Sequence, residues 1–123
     1  MSGGTDMHDI RFAKEIHRVV SEKMASLEKG AVIKAINVRL SPFSHVRPET
    51  LAGSFKLEVL DTALEHIPLK VMVIDIKGRC GGCGNEFIIN MKKLACPKCG
   101  GADIATEHVA EFYVESIEVE KAG

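Results

Sequence analysis

From Asp9 to Leu27 the apolar residues Phe12, Ile16, Val19, Val20 and Leu27 recur at helical spacing, with Arg11, Lys14, Glu15, Arg18 and Glu22 on the other side. Lys23 projects onto the apolar stripe and has to snorkel, its stem along the stripe and its ammonium in water. Gly30 stands where the end of a helix takes a left-handed residue. The period then changes. Between Ala31 and Leu40, Val32, Ile36, Val38 and Leu40 share one face, broken by Lys34, while Ala35, Asn37 and Arg39 share the other. That alternation predicts a half-buried strand. Residues 41–47 read as a loop. Pro48 then opens a second helix, because its missing N–H and fixed φ suit the first turn, and Glu49 follows at the end where a carboxylate is favoured. Leu51, Phe55 and Val59 form its core-facing row, and Gly53 weakens it by about 1 kcal/mol relative to Ala. Leu69–Lys77, rich in β-branched residues, predicts a second strand. Phe112–Glu120 predicts a third, with Tyr113, Ile117 and Val119 on one face.

Between the last two strands, residues 79–101 break both periods with five glycines (Gly81, Gly82, Gly84, Gly100 and Gly101) and all four cysteines. The fold class is therefore α/β in the α+β sense: a small three-stranded sheet, two helices on one of its faces, and an inserted four-cysteine, zinc-ribbon-like loop. Residues 1–6 read as a flexible leader, 7–78 with 102–123 as the α/β body, and 79–101 as a metal-binding domain. No internal repeat beyond the paired cysteines and no low-complexity run is present. Hydrophobic residues make up 46% of the chain but aromatics only 5%, with no Trp, so the core has to be mainly aliphatic.

The cysteines fall in two C-x-x-C pairs, Cys80/Cys83 and Cys96/Cys99, separated by twelve residues, with none left over. In a reducing compartment such pairs are metal ligands or redox centres rather than structural disulfides. Zinc prefers tetrahedral thiolate coordination, and a two-residue gap lets both sulfurs of a pair reach one ion from a tight turn. Phe87-Ile88-Ile89 is a short strand that could pair back and bring the two turns together. Iron and a redox dithiol are the alternatives this spacing leaves. Four thiolates close the coordination shell, so the site reads as structural rather than catalytic. With so little core of its own, such a loop would depend for folding on a metal-binding energy of ~10–16 kcal/mol.

Charge narrows the partners. The whole chain carries net charge −1. In residues 79–100 four cations (Arg79, Lys92, Lys93 and Lys98) oppose Glu86, and four thiolates around one divalent ion reduce the excess to +1. With one aromatic ring for base stacking, this is a poor nucleic-acid surface. Met1–Asp6 has neither the basic nor the apolar segment of a signal peptide, and no apolar run reaches bilayer length. The expectation is a cytoplasmic protein with neither nucleic-acid nor membrane partner, and a homodimer is held open. No nucleophile pair of recognisable spacing and no phosphate-binding glycine loop is present, so an enzyme is not expected. Of the five histidines, His17, His45, His66 and His108 read singly as surface or boundary residues. His8, in Met7-His8-Asp9, directly precedes the first helix, whose N-cap Asp9 could be.

Met7-His8-Asp9 opening an amphipathic helix, then Val46-Arg47-Pro48-Glu49-Thr50-Leu51 with Phe55, resembles the HypA family of nickel metallochaperones. So does C-x2-C-x12-C-Pro-x-C-Gly-Gly followed by Glu111-Phe112-Tyr113-Val114-Glu115-Ser116-Ile117-Glu118-Val119-Glu120. The resemblance runs from Met7 to Glu120. It implies delivery of nickel to the large subunit of NiFe hydrogenase in company with a GTPase partner and, in some members, a part in urease maturation. It also implies nickel at a Met-His-Glu start, held by the terminal amine, a backbone nitrogen and the imidazole. His8 carries over as the imidazole donor and Asp9 takes the Glu position. An internal Met7 has no free amine, so that ligand set closes only in a chain beginning at Met7. Ser41-Pro42-Phe43-Ser44 departs from the family's usual Gly-Glu-Leu-type turn. The rival readings are a nucleic-acid-binding zinc ribbon, a dithiol oxidoreductase, and a HypA-like adaptor that has lost nickel delivery.

Overall fold

A computed structural model describes residues 7–121. The leader, 1–6, lies outside the described residues. Helix α1 (Met7–Ala25) is followed by strand β1 (Ala31–Leu40), a 3-10 turn (Pro42–Ser44) and helix α2 (Pro48–Glu58). Strands β2 (Leu69–Val73), β3 (Lys77–Cys80), β4 (Glu86–Ile88), β5 (Ile104–Thr106) and β6 (Phe112–Lys121) complete the chain. Two three-stranded sheets result, in the orders β2-β1-β6 and β4-β3-β5.

In the first sheet β1 is central, parallel to β2 and antiparallel to β6. Helix α1 buries the stripe its period predicts, with Phe12, Ala13, Ile16 and Val20 inside and Lys23 exposed. It begins at Met7, so Asp9 lies in the first turn rather than at the cap. A carboxylate there is favoured by the unsatisfied N–H groups of the helix end. Pro48 starts α2 as expected, and Leu51, Phe55 and Val59 are all buried against α1 and the sheet. A half-buried clasp joins the helices: His17 Nδ1 lies 3.0 Å from Glu58 Oε2, and Lys14 Nζ lies 3.7 Å from Glu58 Oε1. The far face of the sheet is polar. There Arg39 pairs with Glu115 at 2.8 Å, Lys70 with Glu118 at 3.2 Å and Lys34 with Glu120 at 3.3 Å. Cross-strand pairs of opposite sign suit a face left open to water.

The faces of β1 and β6 differ from those the alternation predicts. Val32 is 52% exposed, while Ile33 and Ala35 are buried together with Ile36, Val38 and Leu40. The ladder to β6 slips between Ile33 and Ala35. A bulge inserts one unpaired residue, Lys34, and the inward set changes parity across it. A second slip, between Asn37 and Val38, does the same to β6. Phe112, Val114 and Ile117 therefore pack on the core, and Tyr113 and Val119 are exposed.

The strand expected over Leu69–Lys77 is two strands in two sheets. Ile74 N–H donates to Leu40 C=O at 3.0 Å, the last bond to the body, and the chain leaves towards β3. The second sheet thus begins at Lys77 and its last strand ends at Thr106. Gly78 is buried in it, and a Cβ there would require the Ile89 and Ile104 side chains to shift.

The bulge sets the first prediction. Ile33→Ala should destabilise the protein by about 2–5 kcal/mol in urea unfolding, whereas Val32→Ala should stay within about 0.5 kcal/mol. The opposite ranking would mean that β1 keeps one parity throughout.

Candidate metal centre

The two C-x-x-C turns are built alike. In the first, Cys80 N–H donates to Asn85 C=O at 2.9 Å and Gly84 N–H donates to Cys80 C=O at 2.8 Å. In the second, Cys96 N–H donates to Gly101 C=O and Gly100 N–H to Cys96 C=O, both at 2.8 Å. Gly84 and Gly100 directly follow the second cysteine of each pair, at φ 76° and 77°. Reversing the chain that tightly needs a left-handed residue, which glycine adopts without a Cβ penalty. Strand β3 carries the first turn, and β4 pairs back on it with Gly78 opposite Phe87. On the other side β5 places Ile104 opposite Cys80. Gly81 N–H donates to Asp103 C=O at 2.7 Å and pins the first turn to the segment entering β5.

These turns bring the four sulfurs within 4.8 Å of one another. Cys80 Sγ lies 3.5 Å from Cys99 Sγ, and Cys83 Sγ lies 3.6 Å from Cys96 Sγ. A tetrahedral ion with metal–sulfur bonds near 2.3 Å sets sulfur–sulfur edges of about 3.8 Å, so the four positions fit one such ion. Cys80 and Cys96 are buried, whereas Cys83 and Cys99 are exposed. Polar hydrogens face the sulfurs: Lys98 N–H donates to Cys96 Sγ and Gly101 N–H to Cys99 Sγ, each at 3.4 Å. Asn85 Nδ2 donates to Cys96 Sγ at 3.8 Å.

The thiols are spread apart in acidity. Burial pushes Cys96 up, but the amides of Cys99 and Lys98 outweigh it and bring that thiol down to about 6. The amides of Cys83 and Gly82 lower Cys80. At Cys99 the Gly101 amide acts downward, yet the three neighbouring sulfurs prevail and push it up to about 12. A fourth negative charge in this cluster is opposed by the sulfurs around it. Among the described residues this is the only cluster of three or more metal-ligating groups.

The residues at the other end lie apart from it. His8 is exposed in the first turn of α1, its ring edge-on to Phe12 with centroids 6.4 Å apart. Asp9 is 2% exposed, because adjacent helical residues point about 100° apart. His45, His66 and His108 are exposed at loop positions, two of them at positive φ (62° for His45, 77° for His66). His17 is engaged with Glu58. Sequence reading missed β5, the partnership of His17 with Glu58 forty-one residues away, and Asn85 as a donor to sulfur. Only β5 had a local signal, the β-branched Ile104 and Thr106.

Comparison with known proteins adds to this geometry. A family profile described as hydrogenase/urease nickel incorporation, metallochaperone, hypA matches residues 7–119. The hydrogenase maturation factor HypA of Chlorobium luteolum is 28% identical over 95% of this chain and 99% of its own. That of Dehalococcoides mccartyi is 29% identical over 93% and 95%. The solution structure of the nickel metallochaperone HypA from Helicobacter pylori superposes with a TM-score of 0.60 at 17% identity, covering 95% of this chain and 100% of that one. At that identity the likeness is one of fold. The Met7–Ala25 helix, all but the last two residues of the β2-β1-β6 sheet and the four-sulfur cluster lie within the matched residues, and the chain belongs to the HypA family of nickel metallochaperones and hydrogenase maturation factors.

Proposed function

We propose that this chain carries nickel(II) at the His8 end of α1 and passes it, with a GTPase partner, to the large subunit of NiFe hydrogenase. The four cysteines hold a structural zinc ion in this reading. The observation that carries it is the family match, which opens at Met7 and so takes in Met7-His8-Asp9. The chemistry of the two ends supports a sorting of metals. Four clustered thiolates suit tetrahedral zinc, whereas nickel(II) favours tetragonal nitrogen ligation. His8 offers an exposed imidazole, and Asp9 supplies a buried carboxylate in the same turn. The positive end of the helix dipole opposes a dication there and the carboxylate offsets it, so binding is weak enough for cargo to leave. Zinc in the closed sulfur shell organises the β3–β5 unit, which has few buried side chains of its own.

The work is binding and hand-over rather than catalysis, in the cytoplasm and without nucleic acid. Among the described residues no helix is long and apolar enough to cross a membrane. A second reading keeps the fold and drops the cargo, leaving a HypA-like adaptor. What favours it is that, among the described residues, the cluster able to hold a metal is the four-cysteine one and includes neither His8 nor Asp9.

Two outcomes are expected. Titrating nickel(II) into zinc-loaded protein should give one planar nickel, by visible absorption, in a chain beginning at Met7. His8→Ala should abolish the binding of the full chain. If neither the full chain nor the Met7-start chain binds nickel above background while zinc stays in place, the adaptor reading replaces nickel delivery. Separately, a strong chelator should remove one zinc per chain and raise amide exchange throughout residues 77–106, while α1, β1 and α2 keep their protection. Protons compete with the ion for sulfur, so removal should become easier as pH falls. Protection of 77–106 that survives complete zinc loss would show that the unit folds without metal.

A further inference from the structure

The turn after β1 is held from several sides. Ser41 N–H donates to Glu111 C=O at 2.9 Å, and Ser41 Oγ accepts from Phe43 N–H at 3.1 Å. Ser44 N–H returns to Ser41 C=O at 3.1 Å, and Ser44 Oγ accepts from Val46 N–H at 3.2 Å. Both serines are buried, and His45 leaves the turn in a left-handed conformation at φ 62°. A non-glycine residue there costs conformational energy that the surrounding bonds must offset. What this rigid turn presents is Phe43, 37% exposed.

Phe43 lies between two cavities. One, of about 200 Å³, has Phe43 on the body side and Phe87, Ile89, Leu94 and Ile104 of the metal-binding unit on the other. The second, of about 220 Å³, is bounded by the same turn and by the connection from Thr106 to Glu111. The unit joins the body through two segments, 74–76 and 107–111. The body-side root of each is fixed, by the Ile74–Leu40 and Ser41–Glu111 bonds. Two fixed roots still leave a rotation about the neck between them. A contact off that axis removes it, and an aromatic ring facing an apolar wall that includes a second ring is well suited to the task.

We infer that Phe43 is the docking residue through which the α/β body sets the orientation of the metal-binding unit. Single exposed apolar side chains are ordinary. Phe43 differs in being carried on a braced turn and in sharing a cavity with four apolar residues of the opposite unit. The inference does not depend on nickel.

The test is NMR relaxation and residual dipolar coupling on the zinc-loaded full chain. In the wild type, amides of 77–106 and of the body should fit one alignment tensor and one rotational correlation time. In Phe43→Ala the common tensor should be lost, and the correlation time of 77–106 should fall below that of the body, with zinc content unchanged. Phe43→Leu should retain the common tensor. Leu94→Asp, which alters the opposite wall and leaves the turn intact, should reproduce the Phe43→Ala result should that variant fold poorly. Two tensors in the wild type, or a single tensor in both Phe43→Ala and Leu94→Asp, would overturn the inference.

Discussion

Every element of the body is arranged around β1. Its second half, Ile36–Leu40, pairs with β2 on one side, nearly its whole length pairs with β6 on the other, and its inward side chains join those of both helices in one core. A strand so enclosed must satisfy two ladders and one apolar face at once. The sequence Ile33-Lys34-Ala35-Ile36 does not alternate, and the bulge reconciles it with that demand: Lys34 drops out of the ladder and its ammonium reaches Glu120 in solvent. The second slip, between Asn37 and Val38, then sets which residues of β6 face inward. It thereby helps set where Phe112 stacks on Phe12, 4.2 Å between ring centroids, at the corner from which the metal-binding unit departs.

The second unit obeys a different constraint. Its sheet is built from strands of three and four residues and encloses few side chains. What it has instead is four sulfurs gathered within 4.8 Å of one another, with backbone amides already turned towards them. Body and unit are thus organised differently, the one around buried apolar side chains and the other around the four-sulfur cluster. The chain joins them at a corner where Glu111 bonds to Ser41 and pairs with Arg11 of α1 at 3.1 Å.

These differences govern how much of the structure the sequence discloses. Helices α1 and α2 are legible because a 3.6-residue period and Pro48 are local signals. The four-cysteine cluster is legible because the two-residue gap and the following glycine are needed by the turn itself. The bulges are not, since a slip of one residue is decided by the partner strand. The break after Val73 is hidden in an apolar run from Leu69 to Ile76 that only Lys70 and Asp75 interrupt. At the His8 end of α1 the motif is visible but its disposition is not. That His8 faces water while Asp9 is buried depends on where α1 lies on the sheet, a tertiary fact with no local pattern.

The alternation of burial among the ligands bears on how the ion would leave. Cys80 and Cys96, the first member of each pair, are enclosed; Cys83 and Cys99, the second members, are open to water. A competing thiol or chelator would therefore meet Cys83 and Cys99, the open sulfur of each C-x-x-C turn, before the enclosed Cys80 and Cys96.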